Sequence, residues 1–254
     1  MKQKILLTGG NGGLAKELIK EFSNLYDFVS IDIHKERDQG LADLDYDYFK
    51  CDICDAESLQ KIKNCNLEKF QNISVIINNA AIDYVPTEEH EYRTEFSYSD
   101  ALKVFEVNVL GAINVIETFK DLLVINSGSI VNISSVYSIV PPDQTIYEDL
   151  IGLNGLQFKK PIYYGLSKAA LNYVTKFYVE ELSSFGVRIN TVIFGGIENN
   201  QPLSFRRKYI KKVPLRRMAS REDVVGIFKW LLSDSLGYIT GNEFKVDGGF
   251  LATK

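Results

Sequence analysis

Short apolar runs recur along the chain, and between them apolar positions return at three- and four-residue steps. The first run, Lys4 to Thr8, leads straight into Gly9-Gly10-Asn11-Gly12-Gly13, after which Leu14, Leu18, Ile19 and Phe22 mark a helix. Further strands are predicted at Phe28–Ile33, Tyr48–Cys51, Ile73–Ile77, Ile130–Ile133, Val187–Phe194 and Glu243–Val246. Helices are predicted from an Asp55 cap to about Ile62, from about Tyr98 to Val124, over about 163–184 and over roughly Arg221–Leu232. Continuous apolar strands alternating with helices indicate a parallel sheet covered on both faces. The expected architecture is α/β, a doubly wound parallel sheet of about seven strands with helices on both faces. No repeat, low-complexity tract or linker interrupts the pattern, so residues 1–254 read as a single domain.

A strand, a glycine turn and a helix start in succession make an anion site, because free backbone N–H groups and the positive helix end face the ligand. A glycine turn is sometimes a plain connection, but at the first strand of the chain it favours a dinucleotide and hence a Rossmann-type sheet. Asp32 ends the second strand, 19 residues after Gly13. That is about where such folds set an acid on the adenosine ribose hydroxyls. A carboxylate there repels a 2′-phosphate and favours NAD. His34, Lys35 and Arg37 follow closely and partly offset that repulsion, which leaves NADP open.

Within IYYGLSKAALNYVTKF, Leu166, Ala170, Leu171, Val174 and Phe177 recur at helical spacing. Tyr164 and Lys168 lie four apart and share a face, whereas Tyr163 lies off it. A phenol ionises near pH ~10 in water and a neighbouring ammonium favours the phenolate, so this pair can exchange a proton with a ligand. Taken alone, the pattern more often means a packed tyrosine and a solvated lysine. Asn108 interrupts an apolar stripe with Leu102, Phe105 and Val109 and must find hydrogen bonds there. It either bridges neighbouring backbone or holds an ordered water. Ser134 and Ser135 follow the fifth strand, at the carboxyl edge where ligands bind in such sheets.

The 28 residues between Ser135 and Tyr164 carry Pro141, Pro142, Gly152, Gly155 and Pro161, and a loop of that length is usually functional or disordered. The basic run Arg206–Lys212 is either a phosphate contact or a solvated helix face. Residues 83–99 are acidic and aromatic and read as a loop entering a helix, with Glu88–Glu91 as solvated surface rather than a metal site. Cys51, Cys54 and Cys65 are too few for a disulfide scaffold. Cys51 and Cys54 read as small apolar fillers, and no metal is expected. The 45% hydrophobic and 24% charged shares are those of an ordinary globular protein, and a net charge of −4 offers no general attraction for nucleic acid or membrane. No apolar run approaches the roughly 20 residues that span a bilayer, and the amino terminus has no signal-peptide pattern. A cytoplasmic location is expected.

These segments together resemble one family. TGGNGGLA at 8–15 resembles the cofactor loop of the short-chain dehydrogenase/reductases, NNAA at 78–81 resembles their NNAG, and GSIVNISS with YGLSK matches their Ser and Tyr-x-x-x-Lys elements. RINTVIFGG at 188–196 and YITGNEFKVDGG at 238–249 extend the resemblance over nearly the whole chain. It implies that Tyr164 is the acid/base, that Lys168 binds the nicotinamide ribose and lowers the phenol pKa, that Ser135 bonds the substrate oxygen and that Asn108 holds a relay water. It also implies that Gly9, Asn11, Gly13 and Leu14 line the pyrophosphate, Asp32 and Ile33 the adenosine ribose, and Asp52 and Ile53 the adenine. Asn79, Ala80, Ala81, Gly195 and Ile197 would complete the cleft, and a homodimer or homotetramer through the two long helices is implied. The chain departs from the pattern at Ala15, Ala81 and Phe194, where the family has glycine, glycine and commonly proline. The longer Ser135-to-Tyr164 gap gives a substrate-loop insert at about 139–162 and a lid at about 197–218. With FGGIENNQP and PLRRM it resembles the flagellin-modification dehydrogenases of legionaminic-type sugar pathways.

The leading expectation is therefore an NAD-dependent oxidoreductase moving a hydride between nicotinamide and a carbonyl or hydroxyl of a sugar derivative, with a sugar phosphate or nucleotide sugar among the candidates. Asp143, Gln144, Tyr147, Glu148, Asn154 and Gln157 of the insert are the side chains expected to meet hydroxyls. An NADPH-dependent 3-oxoacyl carrier-protein or other carbonyl reductase is the enzymatic alternative. A non-catalytic dinucleotide-binding scaffold is the third.

Overall fold

The computed structural model describes residues 2–84, 96–233 and 236–254. Its frame is a seven-stranded sheet of β1 (Lys4–Thr8), β2 (Asp27–Asp32), β3 (Asp47–Lys50), β4 (Ile73–Asn78), β5 (Ser129–Ser135), β6 (Arg188–Phe194) and β7 (Glu243–Val246). The order is β3-β2-β1-β4-β5-β6-β7, and every pairing is parallel. The expected Rossmann-type doubly wound sheet is present. Its strand order reverses between β1 and β4, which opens a crevice at the carboxyl edge.

Alternation along the strands fills two layers. Leu6, Ile76, Ile130 and Ile189 face one side, packed with Val115, Ile116, Phe119, Leu171 and Val174. The latter belong to α5 (Ala112–Asn126) and α6 (Ile162–Leu182), and Leu59 of α2 (Ala56–Cys65), Phe70 of α3 (Leu67–Phe70) and Phe105 of α4 (Tyr98–Phe105) join the same side. Ile5, Leu7, Val75, Ile77, Val131, Val192 and Phe194 face the other side. They meet Leu18 and Phe22 of α1 (Gly13–Phe22) and Val224 and Phe228 of α8 (Arg221–Leu231). Local chemistry sets several ends: Asp55 accepts from Ser58 N at 2.9 Å to start α2, and Ser220 with Asp223 forms a capping box on α8.

Two expectations change. The helix expected over Tyr98–Val124 is two helices joined by a π-helical turn, Glu106–Gly111, centred on Asn108. An extra residue in the turn carries the Asn108 side chain into the interior; such bulges cluster at functional positions. The buried face of α6 is also more polar than its apolar spacing suggests. Leu166 and Phe177 are exposed, and Ser167, Lys168, Asn172 and Thr175 are buried instead. Hydrogen bonding, described below, outweighs the apolar stripe there.

The long segment before α6 folds into a third cluster beside the carboxyl edge. Val136, Ile146, Tyr147, Leu150 and Phe158 pack with Phe205 and Tyr209 of α7 (Leu203–Lys212), and with Met218 and Phe250. Tyr147 stacks on Phe205, Phe205 on Tyr209 and Tyr209 on Phe250, with ring centroids 5.3, 5.7 and 5.6 Å apart. The Tyr209 hydroxyl accepts the Gly196 N–H at 2.5 Å and so ties α7 to the loop after β6. The Glu88–Glu91 expectation lies outside the described residues.

Removing that hydroxyl leaves a buried N–H unpaired, a cost of about 1–3 kcal/mol. Tyr209→Phe should lower the unfolding free energy, read from urea denaturation, by that amount. A change below about 0.5 kcal/mol would show the bond to be idle.

Candidate active site

A cleft of about 560 Å³ runs along the carboxyl edge between the glycine turn and the segment 197–221. Among the expected site residues, Gly13, Leu14, Asn79, Ala81, Ser135, Tyr164, Lys168, Gly195 and Ile197 line it. Phe194, where proline was noted as the family habit, also lines the cleft and is otherwise buried in the core.

At the glycine turn, no side chain caps α1 and its first turn carries no acid. Its leading N–H groups are therefore available to an anion. Gly9 has φ +69°, and a Cβ there would lie 2.8 Å from the Ala80 Cα. A Cβ on Gly10 would lie 1.7 Å from the Ser30 Oγ. A Cβ on Gly13 would meet nothing within 4 Å, so open space lies over the helix start. The turn is held from both sides. Asn79 donates to the Thr8 and Gly9 carbonyls at 2.9 and 3.2 Å, and the Thr8 hydroxyl accepts from the N–H groups of Asn79 and Ala80 at 3.1 Å.

Asp32 is 7% exposed at the end of β2. Its carboxylate accepts the Asn11 N–H at 2.9 Å, the His34 N–H at 3.1 Å and a contact from the His34 ring Nδ1 at 2.5 Å. The Asn11 side chain braces the turn against the Glu36 carbonyl, the Asp38 N–H and the Tyr48 hydroxyl. Ile33 is exposed beside it. Asp52 lies exposed past β3 and caps the Cys54 N–H. Ile53 is a core residue, buried against Gly111 on the π turn rather than lining the cleft. The space over Gly13, the free helix end and the buried Asp32 fit a dinucleotide.

At the other end, α6 presents Tyr164 and Lys168 to the cleft, while Tyr163 turns into an edge-on contact with Tyr84. Ser135 hydrogen-bonds the Tyr164 phenol. Burial, with the nearby Asp83 carboxylate adding to it, pushes that phenol well above its usual range, and the Ser135 bond only partly opposes this. Lys168 is 3% exposed, and its Nζ donates to the Ile133 carbonyl at 2.8 Å. Burial pulls it down to about 8, against a smaller upward pull from Asp83.

Asn108 lies behind the cleft. It accepts the Ile82 N–H at 2.7 Å and donates to the Ile82 carbonyl and the Ser167 hydroxyl, both at 3.0 Å. Of its two readings, these bonds match the bridging of backbone. It ties the segment after β4 to α6.

The basic run does not face the cleft as free charge. Arg206 pairs with Glu198, Lys208 with Glu148 and Asp149, and Lys212 with Asp143. The polar residues of the insert are also largely committed within the chain. Besides those pairs, Gln144 holds the Lys160 backbone and Tyr147 bonds the Tyr137 hydroxyl at 2.9 Å. The cleft does hold polar side chains that the sequence patterns did not single out: Asp83, Tyr137, Lys160, Asn199 and Gln201.

A direct consequence concerns pH. The Lys168 value is lowered from 10.5 to about 8 in the folded chain. Between those values the unfolded chain binds more protons than the folded one, so this group makes stability rise with pH there and leaves it flat below about 8. The stability of the wild type relative to Lys168→Met should therefore climb between pH 8 and 10.5, read from paired thermal melts. A constant difference would contradict a buried, shifted Lys168.

The family comparisons agree with this geometry. The model of the short chain dehydrogenase family matches residues 3–147, and that described as enoyl-(acyl carrier protein) reductase matches residues 152–251. The chain is similar to glucose 1-dehydrogenase 2 of Bacillus subtilis, at 24% identity over 96% of this chain and 93% of the relative. It is similar to the post-translational flagellin modification protein A of Campylobacter coli, at 28% identity over 79% of this chain and 76% of the relative. In fold it is similar to a short chain dehydrogenase of Leptospira borgpetersenii solved with bound NAD+, with a TM-score of 0.84 and 24% identity over 98% and 93% of the two chains. With the family model covering more than half of its length, the chain belongs to the short chain dehydrogenase family, and it is an oxidoreductase of that family.

Proposed function

We propose that the protein is an NAD-dependent dehydrogenase that oxidises a hydroxyl of a sugar or sugar derivative. The observation that carries this reading is the pairing of one cleft end with the other. A buried carboxylate, Asp32, stands beside the glycine turn, and Ser135, Tyr164 and Lys168 converge at the far end. Asp32 repels a 2′-phosphate, and two of the three basic residues that follow it, Arg37 and His34, are in use. Arg37 is turned onto the Leu44 and Ala42 carbonyls and the Tyr46 ring, and His34 sits on Asp32 itself. An adenosine ribose would take over the place of the exposed His34 ring on Asp32.

NAD held by the glycine turn and Asp32 would supply the hydride acceptor. Ser135 donates a hydrogen bond to the substrate oxygen, and Tyr164 takes the hydroxyl proton as the carbon gives up its hydride. Burial and the Asp83 carboxylate outweigh the Ser135 hydrogen bond and hold the phenol protonated in the free protein, so Tyr164 would act as a base with added positive charge beside it, which an oxidised nicotinamide ring would carry. Lys168, anchored on the Ile133 carbonyl, lines the cleft one helical turn from Tyr164 and would hold the nicotinamide ribose. Asn108 and Ser167 hold the back wall by tying the segment after β4 to α6.

A hydroxyl-rich substrate suits the mixed lining of Asp83, Tyr137, Asn199 and Gln201. The pairing of Arg206, Lys208 and Lys212 with acids favours an uncharged sugar over a sugar phosphate. The names of the Bacillus and Campylobacter relatives support a sugar or flagellin-glycan setting. The exposed Leu102, Leu110, Leu166, Tyr173 and Phe177 on α4–α6 support a homodimer or homotetramer built on that face.

Titration calorimetry should find NAD(H) bound at least about tenfold more tightly than NADP(H). Asp32→Ala should erase most of that preference. Equal or reversed preference in the wild type would overturn the NAD reading and bring forward a reductase that uses NADPH. Aldoses and sugar alcohols should then be oxidised with NAD in preference to their phosphates.

A further inference from the structure

Lys160 and Asp83 lie 77 residues apart in the chain and meet as an ion pair in the wall of the cleft. Neither belongs to any motif noted in the sequence. Lys160 is 6% exposed, so its charge is taken out of water and needs fixed partners. It has them: besides Asp83, its Nζ donates to the Tyr84 carbonyl at 3.0 Å. Its backbone is clamped by the Gln144 side chain, which donates to the Lys160 carbonyl at 3.0 Å and accepts the Lys160 N–H at 3.1 Å. So held, the ammonium stands 4.5 Å from the centroid of the Tyr164 ring. A cation over an aromatic face is attractive, and more so when desolvated.

We propose that Lys160 is a positioning residue for Tyr164, and that with Asp83 it forms a charge pair that fixes the phenol ring and sets the electrostatic field at it. This deepens the dehydrogenase reading and rests on Tyr164 as its acid/base. Tyr164 is then supported twice, by Lys168 from its own helix and by Lys160 from the chain entering that helix. Among the described residues, the charged and titratable groups around it are Lys168 on α6, Lys160 before it, Asp83 after β4, Ser135 at the end of β5 and Tyr137 in the turn that follows. Tyr137 in turn bonds Tyr147 of the insert. Asp83 is the sole carboxylate in that set. Its partner cancels it, so deleting either charge exposes the other, and the two deletions act on Tyr164 with opposite sign.

The test is the midpoint of Tyr164 ionisation in Lys160→Met, Asp83→Asn and the double variant. It is read as the pH profile of kcat/KM for NAD-linked oxidation of whichever sugar alcohol or aldose the wild type turns over. It is read again by 13C NMR of ring-labelled tyrosine in the NAD-bound protein, the Tyr164 resonance being identified by its loss in Tyr164→Phe. The NMR reading needs no substrate. A protein that oxidises nothing would therefore sink the dehydrogenase reading while still judging the charge pair. Asp83→Asn should lower the midpoint by about one unit and Lys160→Met should raise it by a similar amount. The double variant should return to within about half a unit of wild type, and Lys160→Arg should stay there also. Shifts of the same sign in both single variants, or no shift in any of them, would overturn the proposal.

Discussion

The site depends on how α6 is fastened to the sheet, and the fastening is polar. Asn78 donates to Asn132, Asn132 donates to Thr175, and the Thr175 and Thr191 hydroxyls share a hydrogen bond, at 2.9, 2.8 and 2.7 Å. Ser134 bonds the Lys168 carbonyl, Lys168 bonds the Ile133 carbonyl and Asn172 bonds Ser138. Apolar packing alone tolerates a helix sliding or rolling by a fraction of a turn. A buried chain of hydrogen bonds does not, because each unmade bond leaves a desolvated group behind. The register of α6, and with it the height of Tyr164 and Lys168 over the carboxyl edge, follows from this network. Gly165 belongs to the same contact: a Cβ there would stand 2.7 Å from the Tyr137 carbonyl oxygen, so the helix start lies directly on the turn after β5.

The cofactor end is built by the same means. Thr8 and Asn79 lock the glycine turn to the end of β4, and Asn11 locks it to the segment after β2. The cleft therefore has two braced ends, the glycine turn at β1 and β4, where the strand order reverses, and the Ser135–Tyr164 end at β5 and α6. What varies between them is the wall formed by α7, the segment before α6 and the loop after β6. That wall is aromatic where it packs and ion-paired where it meets solvent, which leaves its few inward polar groups to choose the substrate.

Much of this was legible in the sequence, because strands and glycine turns are local. All seven strands and the cap at Asp55 follow from short windows, and the Tyr164–Lys168 face follows from helical spacing. The polarity of the α6 face was not legible. Leu166 and Phe177 complete a convincing apolar stripe, and only the sheet reveals that Ser167, Asn172 and Thr175 are the inward side. Asn132 carried a usable signal, being an amide in an otherwise apolar strand, of the kind that singled out Asn108. The π turn had none, since it adds a residue without a breaker. Lys160 and Asp83 were invisible for another reason: ordinary charged residues in separate loops meet only when the fold closes. The same long-range pairing engages Arg206, Lys208 and Lys212 of the basic run, with acids from Asp143, Glu148, Asp149 and Glu198 that no short window links to it.

The central claim is that Tyr164 carries the proton in a hydride transfer to NAD. The direct measurement is the turnover of Tyr164→Phe beside its NAD affinity, with a sugar that the wild type oxidises. Loss of the phenol should lower kcat by at least about 100-fold while NAD binds within about threefold of wild type. A variant that still turns over within about tenfold of wild type would contradict the account, as would a wild type that binds NAD and oxidises no sugar or alcohol at all.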